Sequence, residues 1–353
     1  EVVNAGAASY SPIVEYLLDD FGFHAWRPVR TLVQEGIVPR PARPSYTIAM
    51  LSATRYRGAA ELLAEDPALL EVEAWRLFEV EGGGEDSLAN HEKFFGDTWG
   101  TVFRDLAARD PAQRNRLLDA SLAALARDFS TYRAGWFLRF HESLAPTDDE
   151  RAQRTEAYLT LLRSRVGPTV SLAVAALVRI ERAGRLPADL LLDRIGPVLV
   201  EGTAGTAKSG LGMVGRAGAG PPEHARRAAI AATDALANAS PEVQGRAIAL
   251  IAKLVHGADD AVARALTGRL PDVATSQRTA AAALLARFGG GRAAAGARRD
   301  DAGPVPSAPS ASTRPSPIDP VRAIEPLASI EALVDVAVSV LATGDPADDL
   351  ARV

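Results

Sequence analysis

The fold is decided by residues 221–256, which read PPEHARRAAIAATDALANASPEVQGRAIALIAKLVH. Two amphipathic helical patterns lie here, with a break at residues 238–241. Ser240 is a suitable N-cap because its hydroxyl accepts from an unpaired amide of the first turn. Pro241 follows at the first helical position, where a missing N–H costs nothing. The second pattern carries one apolar stripe, made of Val243, Ala247, Leu250, Ile251 and Leu254. The stretch therefore predicts a helical hairpin.

The first helix of this hairpin has a stripe made mostly of alanine, so alone it buries little apolar area. Such a hairpin is stable only when it stacks on similar units, which is the defining property of a helical solenoid. Helix starts marked by Pro187, Pro221 and Asp259 recur with a period of about 35 residues, as in helical-pair repeats. We therefore expect an all-α fold, an α-solenoid of stacked helical hairpins.

Four regions follow from the periodicity. Residues 1–109 predict an irregular helical region, and residues 110–288 predict regular helical repeats. Within the repeats, Asp110 and the capping box at residues 147–150 mark helix starts. Residues 289–326 are rich in Gly, Ala, Ser, Pro and Arg, which predicts a disordered linker. Residues 327–353 predict the start of a further helical segment. Because residue 1 is Glu, we interpret the chain as a fragment or a processed product.

Composition excludes several classes of protein. The chain has no cysteine, which rules out disulfides and thiolate metal sites in it and fits a cytoplasmic location. The net charge of −5 argues against general nucleic-acid binding, which needs a basic field. The first residues do not resemble a signal peptide. The longest apolar run, residues 170–178, is too short to span a membrane, for which about 20 residues are required.

Residues 240–247, Ser-Pro-Glu-Val-Gln-Gly-Arg-Ala, are similar to the second helix of HEAT-type repeats. Residues 116–147 resemble a family of uncharacterised helical-repeat proteins from high-GC actinobacteria. Members of that family are often encoded beside SWIM zinc-finger proteins, MoxR-type ATPases and von Willebrand A-domain proteins. The resemblance implies a HEAT-like solenoid that acts as a scaffold or adaptor for another protein. It supplies no catalytic residues.

An alternative function rests on residues 202–209, GTAGTAKS, which nearly spell the phosphate-binding P-loop pattern G-x-x-x-x-G-K-[ST]. They follow residues 197–200, which look like a strand. A true P-loop has glycine just before its lysine, and Ala207 occupies that place. The overlapping residues 210–215 match G-x-G-x-x-G without a strand immediately before them. Nucleotide binding therefore stays the alternative to the scaffold.

Histidines offer no site by their spacing. His91 and His141 each precede a glutamate, but the second histidine of a zinc-protease helix is missing four residues on. We expect surface or helix-end histidines, since a cation near a helix C-terminus is favourable. No serine has the flanking glycines of a nucleophile elbow. The sequence thus predicts a non-enzymatic protein with no catalytic, metal-binding or cofactor-binding residues.

Two aromatic groups remain. The first has helical spacing, which favours a core position; it consists of Tyr132, Trp136, Phe137 and Phe140. Arg133 lies beside these residues and is either a recognition residue or a solvated flank. Residues 79–99 combine polar and aromatic side chains without a helical period, which predicts a loop-rich segment. That segment is either the best interaction candidate or a loop packed over the end of the array.

Overall fold

The computed structural model describes residues 12–289, except residues 15, 20, 21, 56 and 82–86. Every regular element in this part of the chain is an α-helix or a 3-10 helix, so the predicted all-α class is confirmed. The predicted linker and the predicted C-terminal helical segment lie outside the described residues, apart from Gly289.

In the N-terminal part, residues 12–14 and 16–19 are helical, and the α-helices that follow them are α1 (Phe23–Gln34), α2 (Pro44–Ala53), α3 (Ala59–Glu65), α4 (Leu88–Phe95) and α5 (Thr98–Arg109). Two 3-10 helices, Pro67–Leu70 and Glu73–Phe78, lie between α3 and α4. Proline normally interrupts a helix, but α1 continues through Pro28. Packing outweighs the lost hydrogen bond there, because Val29 and Arg30 are both buried.

Paired helices follow. They are α6 (Pro111–Leu125), α7 (Thr131–Ser143), α8 (Asp148–Gln153), α9 (Thr155–Leu161), α10 (Gly167–Arg182), α11 (Ala188–Arg194), α12 (Gly196–Glu201), α13 (Ala204–Ala217), α14 (Pro222–Thr233), α15 (Pro241–Leu254), α16 (Asp260–Arg269) and α17 (Thr275–Gly289). Short 3-10 helices extend α14 over Asp234–Ala237 and α16 over Leu270–Asp272. The predicted division at residues 109 and 110 stays a prediction, and α5 packs against α6 across it.

Helix starts agree with most of the predicted caps. The Asp110 carboxylate accepts from the backbone N–H of Ala112 at 2.8 Å, and Thr147 and Glu150 form the predicted capping box. Ser240 occupies the N-cap of α15, but its hydroxyl makes no capping hydrogen bond. Its backbone N–H instead donates to Oδ1 of Asn238 at 3.0 Å. The position of this cap was predicted correctly and its chemistry was not.

The second helices of the pairs pack in a row. Each of α7, α10, α13, α15 and α17 contacts the next, and the five begin at Thr131, Gly167, Ala204, Pro241 and Thr275, a spacing of 34–37 residues. Among the first helices, α11 contacts α14 and α14 contacts α16. Buried Leu, Ile, Val and Ala side chains between these helices belong to one continuous core.

Asn238 joins two neighbouring pairs. Its side-chain amide lies 3.0 Å from the carbonyl oxygen of Leu199, 3.2 Å from that of Val200 and 3.0 Å from that of Gly202. These carbonyls end α12, where backbone acceptors have no partner inside the helix. One buried amide therefore completes the hydrogen bonding of a helix end about one repeat earlier in the chain.

Candidate functional site

Helix α4 exposes aromatic side chains that a monomer would normally bury. It starts at Ser87, whose hydroxyl accepts from the backbone N–H of Asn90 at 3.2 Å. Phe94 is 63% exposed and Phe95 is 39% exposed, and Tyr132 on α7 is 48% exposed. We call these three side chains the aromatic ridge. Large apolar side chains grouped on a surface mark places where other molecules bind.

Cations lie over the rings of the ridge. The Lys93 ammonium is 5.0 Å from the ring centroid of Phe94 and 5.9 Å from that of Tyr132, so it bridges α4 and α7. The Arg55 guanidinium is 4.8 Å from the ring centroid of Phe95. Such contacts hold the exposed rings in place at a gain of about 0.5–1 kcal/mol each. The ridge therefore offers aromatic area together with positive charge.

Two clefts flank the ridge. The first, of about 440 Å³, lies between α4 and α7, and its polar lining includes Glu92, Lys93, Asp97, Arg104 and Arg139. The second, of about 430 Å³, lies between α2 and α4 and is lined by Leu51, Ser52, Arg55, His91, Phe94 and Phe95. Each cleft is large enough to receive one or two side chains of a partner.

Glu92 and Asp97 form a carboxyl pair at the first cleft. Glu92 accepts from the backbone N–H groups of Trp99 at 3.1 Å and Gly100 at 3.2 Å, and so caps α5. Burial raises the pKa of Glu92. Burial acts in the same sense on Asp97, but hydrogen bonds with Glu92 and Arg104 outweigh it and lower the pKa of Asp97. The two carboxyl groups therefore differ in their affinity for a proton, and the bonds that Glu92 accepts from the first amides of α5 fix the junction between α4 and α5.

His91 lies beneath the ridge and is 4% exposed. Its Nε2 is 3.2 Å from the hydroxyl of Thr54, which also accepts from the indole N–H of Trp99 at 3.2 Å. Because that hydroxyl donates its only hydrogen to the carbonyl of Leu51, Nε2 of His91 must be the donor. The network ties α4 to α2 and α5. The expectation of a surface histidine was wrong here.

The predicted loop-rich segment at residues 79–99 is helical over residues 88–95 and 98–99, where the prediction was wrong, whereas residues 79–81 and 96–97 lie outside helices. Apolar periodicity missed α4 because charged or polar side chains, Glu92 and His91, occupy its buried face. These are satisfied by tertiary hydrogen bonds that the sequence does not show. The mixture of aromatic and polar residues was nevertheless a usable signal, because this segment exposes Phe94 and Phe95.

His141 was predicted at the surface or at a helix end; it lies in the last turn of α7, but it is buried, with 1% of its surface exposed. Its Nδ1 is 2.8 Å from the hydroxyl of Ser121, and its Nε2 is 2.8 Å from the hydroxyl of Tyr158. A serine beside a histidine suggests a nucleophile, but Ser121 is fully buried and no substrate can reach it. The chain of hydrogen bonds instead joins α6, α7 and α9.

Three of the four aromatic residues predicted in the core of α7 are placed as predicted. Trp136, Phe137 and Phe140 are buried, whereas Tyr132 at the start of the helix is half exposed, contrary to the favoured core position. Arg133 forms an ion pair with Glu81 at 2.8 Å, which accounts for a charged residue beside the aromatic group.

The P-loop-like segment adopts helical structure. Residues 197–200, interpreted as a strand, lie in α12, so that prediction was wrong. Pro197 is an early position of that helix, where proline is favoured. Residues 204–209 begin α13, and Lys208 pairs with Glu242 at 2.5 Å. Residues 210–215 of the second glycine motif also lie inside α13.

Three comparisons bear on the chain. The family model described as a domain of unknown function (DUF6493) matches residues 15–205, more than half of the sequence. No curated protein and no solved structure matches. The matched range contains the aromatic ridge and both clefts. In the described part of the chain, no helix is long and apolar enough to cross a membrane, and no group of three or more His, Asp or Glu side chains is placed to hold a metal ion.

Proposed function

The chain belongs to the DUF6493 family, and from its surface we propose that it is a non-enzymatic protein–protein interaction scaffold, a HEAT-like α-solenoid that binds a partner through its aromatic ridge. The observation that carries this proposal is the exposure of Phe94, Phe95 and Tyr132 between two clefts. Aromatic side chains next to pockets dominate the binding energy of protein interfaces.

Side-chain bonds between successive pairs support the solenoid. Several of them join residues 35 or 36 positions apart, which is about one repeat: Arg114 to Glu150, Arg154 to Asp119, Arg185 to Asp149, Arg216 to Glu181 and Arg269 to Asp234. Bonds that recur near one spacing are the contacts expected when units of about 35 residues stack on one another. In a repeat protein each unit contacts its neighbours in this way.

The ridge has the area to anchor a partner. Burying a whole phenylalanine side chain contributes about 1.5–3 kcal/mol. Phe94 still offers more than half of that surface to solvent, and Phe95 and Tyr132 add to it. The cations over the rings, Lys93 and Arg55, favour a partner surface that combines apolar and acidic side chains. An ATPase, a von Willebrand A-domain protein and a SWIM zinc-finger protein are the partner candidates that the sequence resemblance implies.

Affinity capture with the full chain tests the proposal. The wild type is compared with the double variant Phe94→Ser and Phe95→Ser, in cells of the source organism, with cross-linking and quantitative mass spectrometry. The matched control is Ile37→Ser with Val72→Ser, two exposed apolar residues that line neither cleft. We expect at least one protein to be captured by the wild type and the control and depleted at least fivefold by the ridge variant. Equal capture by all three chains refutes the ridge as the binding surface.

Nucleotide binding is tested separately. Calorimetric titration of the full chain with ATP and magnesium should give no saturable heat, because residues 204–209 are the start of a helix and Lys208 is paired with Glu242. Magnesium-dependent binding that is lost in Lys208→Ala would overturn the non-enzymatic assignment.

A further inference from the structure

A second surface lies outside the part of the chain that the family model matches. Between α13 and α15 a groove of about 480 Å³ runs along the row of second helices. Its apolar side chains are Leu211, Leu250 and Leu254. The latter two are only partly buried, so the groove presents leucine surface to solvent.

Glycines open this groove, and packing accounts for only some of them. A Cβ on Gly215 would lie 3.1 Å from Leu250, and one on Gly218 would lie 2.7 Å from Ala228. A Cβ on Gly212 would meet, among the described atoms, only the tip of Arg216 at 3.5 Å. Glycine inside a helix costs about 1 kcal/mol relative to alanine. Packing among the described residues does not require that cost at Gly212, and the missing side chain leaves the backbone of α13 open to close approach there.

The groove is positively charged. Arg216, Arg246 and Lys253 line it, and no acidic residue does so. Glu181 neutralises Arg216 through bonds of 2.6 and 2.8 Å. Within the described residues no carboxylate pairs with Arg246 or Lys253. These two cations lie seven residues apart on α15, which is two turns or about 10 Å.

We propose that this groove binds an acidic amphipathic helix of a protein partner. Leucine-type side chains of that helix pack on Leu250 and Leu254, and its backbone approaches Gly212. Carboxylates seven residues apart on the bound helix match the separation of Arg246 and Lys253. This is helix-in-groove recognition with charge complementarity fixing the register.

A nucleic acid fits this groove less well. Single-stranded nucleic acids are held by aromatic stacking together with a track of cations. The lining of the groove contains no aromatic residue and only two cations without an acidic neighbour. The leucine surface has no use in binding phosphates. The inference also stands apart from the aromatic ridge, because the two surfaces share no residue.

Fluorescence anisotropy with the full chain tests the groove. The probe is a labelled helix of about 18 residues, or five turns, made of Ala, Leu and Glu, with a leucine stripe flanked by glutamates seven residues apart. A second probe has Gln in place of Glu.

Gly212→Leu fills the groove without changing charge, and Gly205→Leu is its control on the same helix, where an added Cβ meets nothing within 4 Å. Arg246→Glu with Lys253→Glu reverses the charge, and Arg163→Glu with Arg264→Glu makes the same change elsewhere.

We expect the glutamate probe to bind the wild type at least tenfold more tightly than the glutamine probe. Gly212→Leu and the Arg246 and Lys253 variant should each weaken binding at least tenfold, while both controls bind as the wild type does. Circular dichroism establishes that each variant is folded. The inference is overturned if the glutamate probe does not bind, if Gly212→Leu binds it normally, or if labelled single-stranded DNA binds the groove more tightly than the peptide. Loss of binding in the Phe94 and Phe95 variant would place the peptide on the ridge instead.

Discussion

Acidification from pH 7 to pH 5 should destabilise the fold through His141, which is buried between Ser121 and Tyr158. Burial, followed by the charges of Arg154 and Arg151, lowers the pKa of His141 to about 4. In the unfolded chain a histidine has a pKa of about 6.5. Between these values the unfolded state binds a proton that the folded state does not. The contribution of His141 to the free energy of unfolding is therefore complete above about pH 6.5 and is lost as the pH falls toward 4.

The hydrogen bonds of His141 explain this preference for the neutral ring. The Ser121 hydroxyl donates to the carbonyl of Leu118 at 2.9 Å, so it must accept from Nδ1–H of the ring. Nε2 then has no hydrogen and accepts from the hydroxyl of Tyr158. A proton on Nε2 would face that hydroxyl hydrogen. The two pKa values differ by about 2.5, which corresponds to about 3 kcal/mol, and about 2 kcal/mol of this is lost by pH 5.

Urea unfolding followed by circular dichroism at pH 7 and pH 5 measures the effect. His141→Gln should be less stable than the wild type at pH 7, because Ser121 and Tyr158 lose a buried partner. Between the two pH values, however, the wild type should lose about 2 kcal/mol more than this variant. His256→Gln removes an exposed histidine and should follow the wild type. The reasoning is refuted if His141→Gln shows the wild-type pH dependence, or if NMR titration places the midpoint of His141 above pH 6.

Three further outcomes are expected. Asn238→Ala should lower the free energy of unfolding by about 2–3 kcal/mol in urea titrations, because buried carbonyls at the end of α12 lose their donor. The hydrogen bond from Arg114 lowers the pKa of Glu150 to about 2, so the stabilisation by this carboxylate is present above about pH 4.5 and is lost as the pH falls toward 2. Glu150→Gln should lower the free energy of unfolding by about 1 kcal/mol at pH 7. Between pH 4.5 and pH 2, the free energy of unfolding of this variant should change less with pH than that of the wild type. Gly212→Ala should raise the free energy of unfolding by up to about 1 kcal/mol, which thermal unfolding detects as a higher melting temperature. Gly210→Ala should give no such increase, since its Cβ would lie 3.1 Å from a buried leucine.

The sequence predicted the helices whose signals are local. Asp110, the capping box at residues 147–150 and Asp259 each mark a helix start correctly, because a cap needs only side chains within a few residues of the amides that it satisfies. The stripe of α15 likewise reports a 3.6-residue period that any amphipathic helix must show. Residues 197–200 were misread as a strand because a short apolar run has no period that separates the two structures.

The sequence by itself determined that the described chain is helical and where most of its helices begin, since capping and periodicity act over one or two turns. Only the tertiary structure decided that His91, His141 and Glu92 are buried, because their partners lie on other helices. It also decided which aromatic side chains stay in solvent: Tyr132 and Trp136 lie one turn apart on the same helix, and packing between helices buries only Trp136. Exposure is a property of the assembled helices, and the surfaces that we propose for binding exist only there.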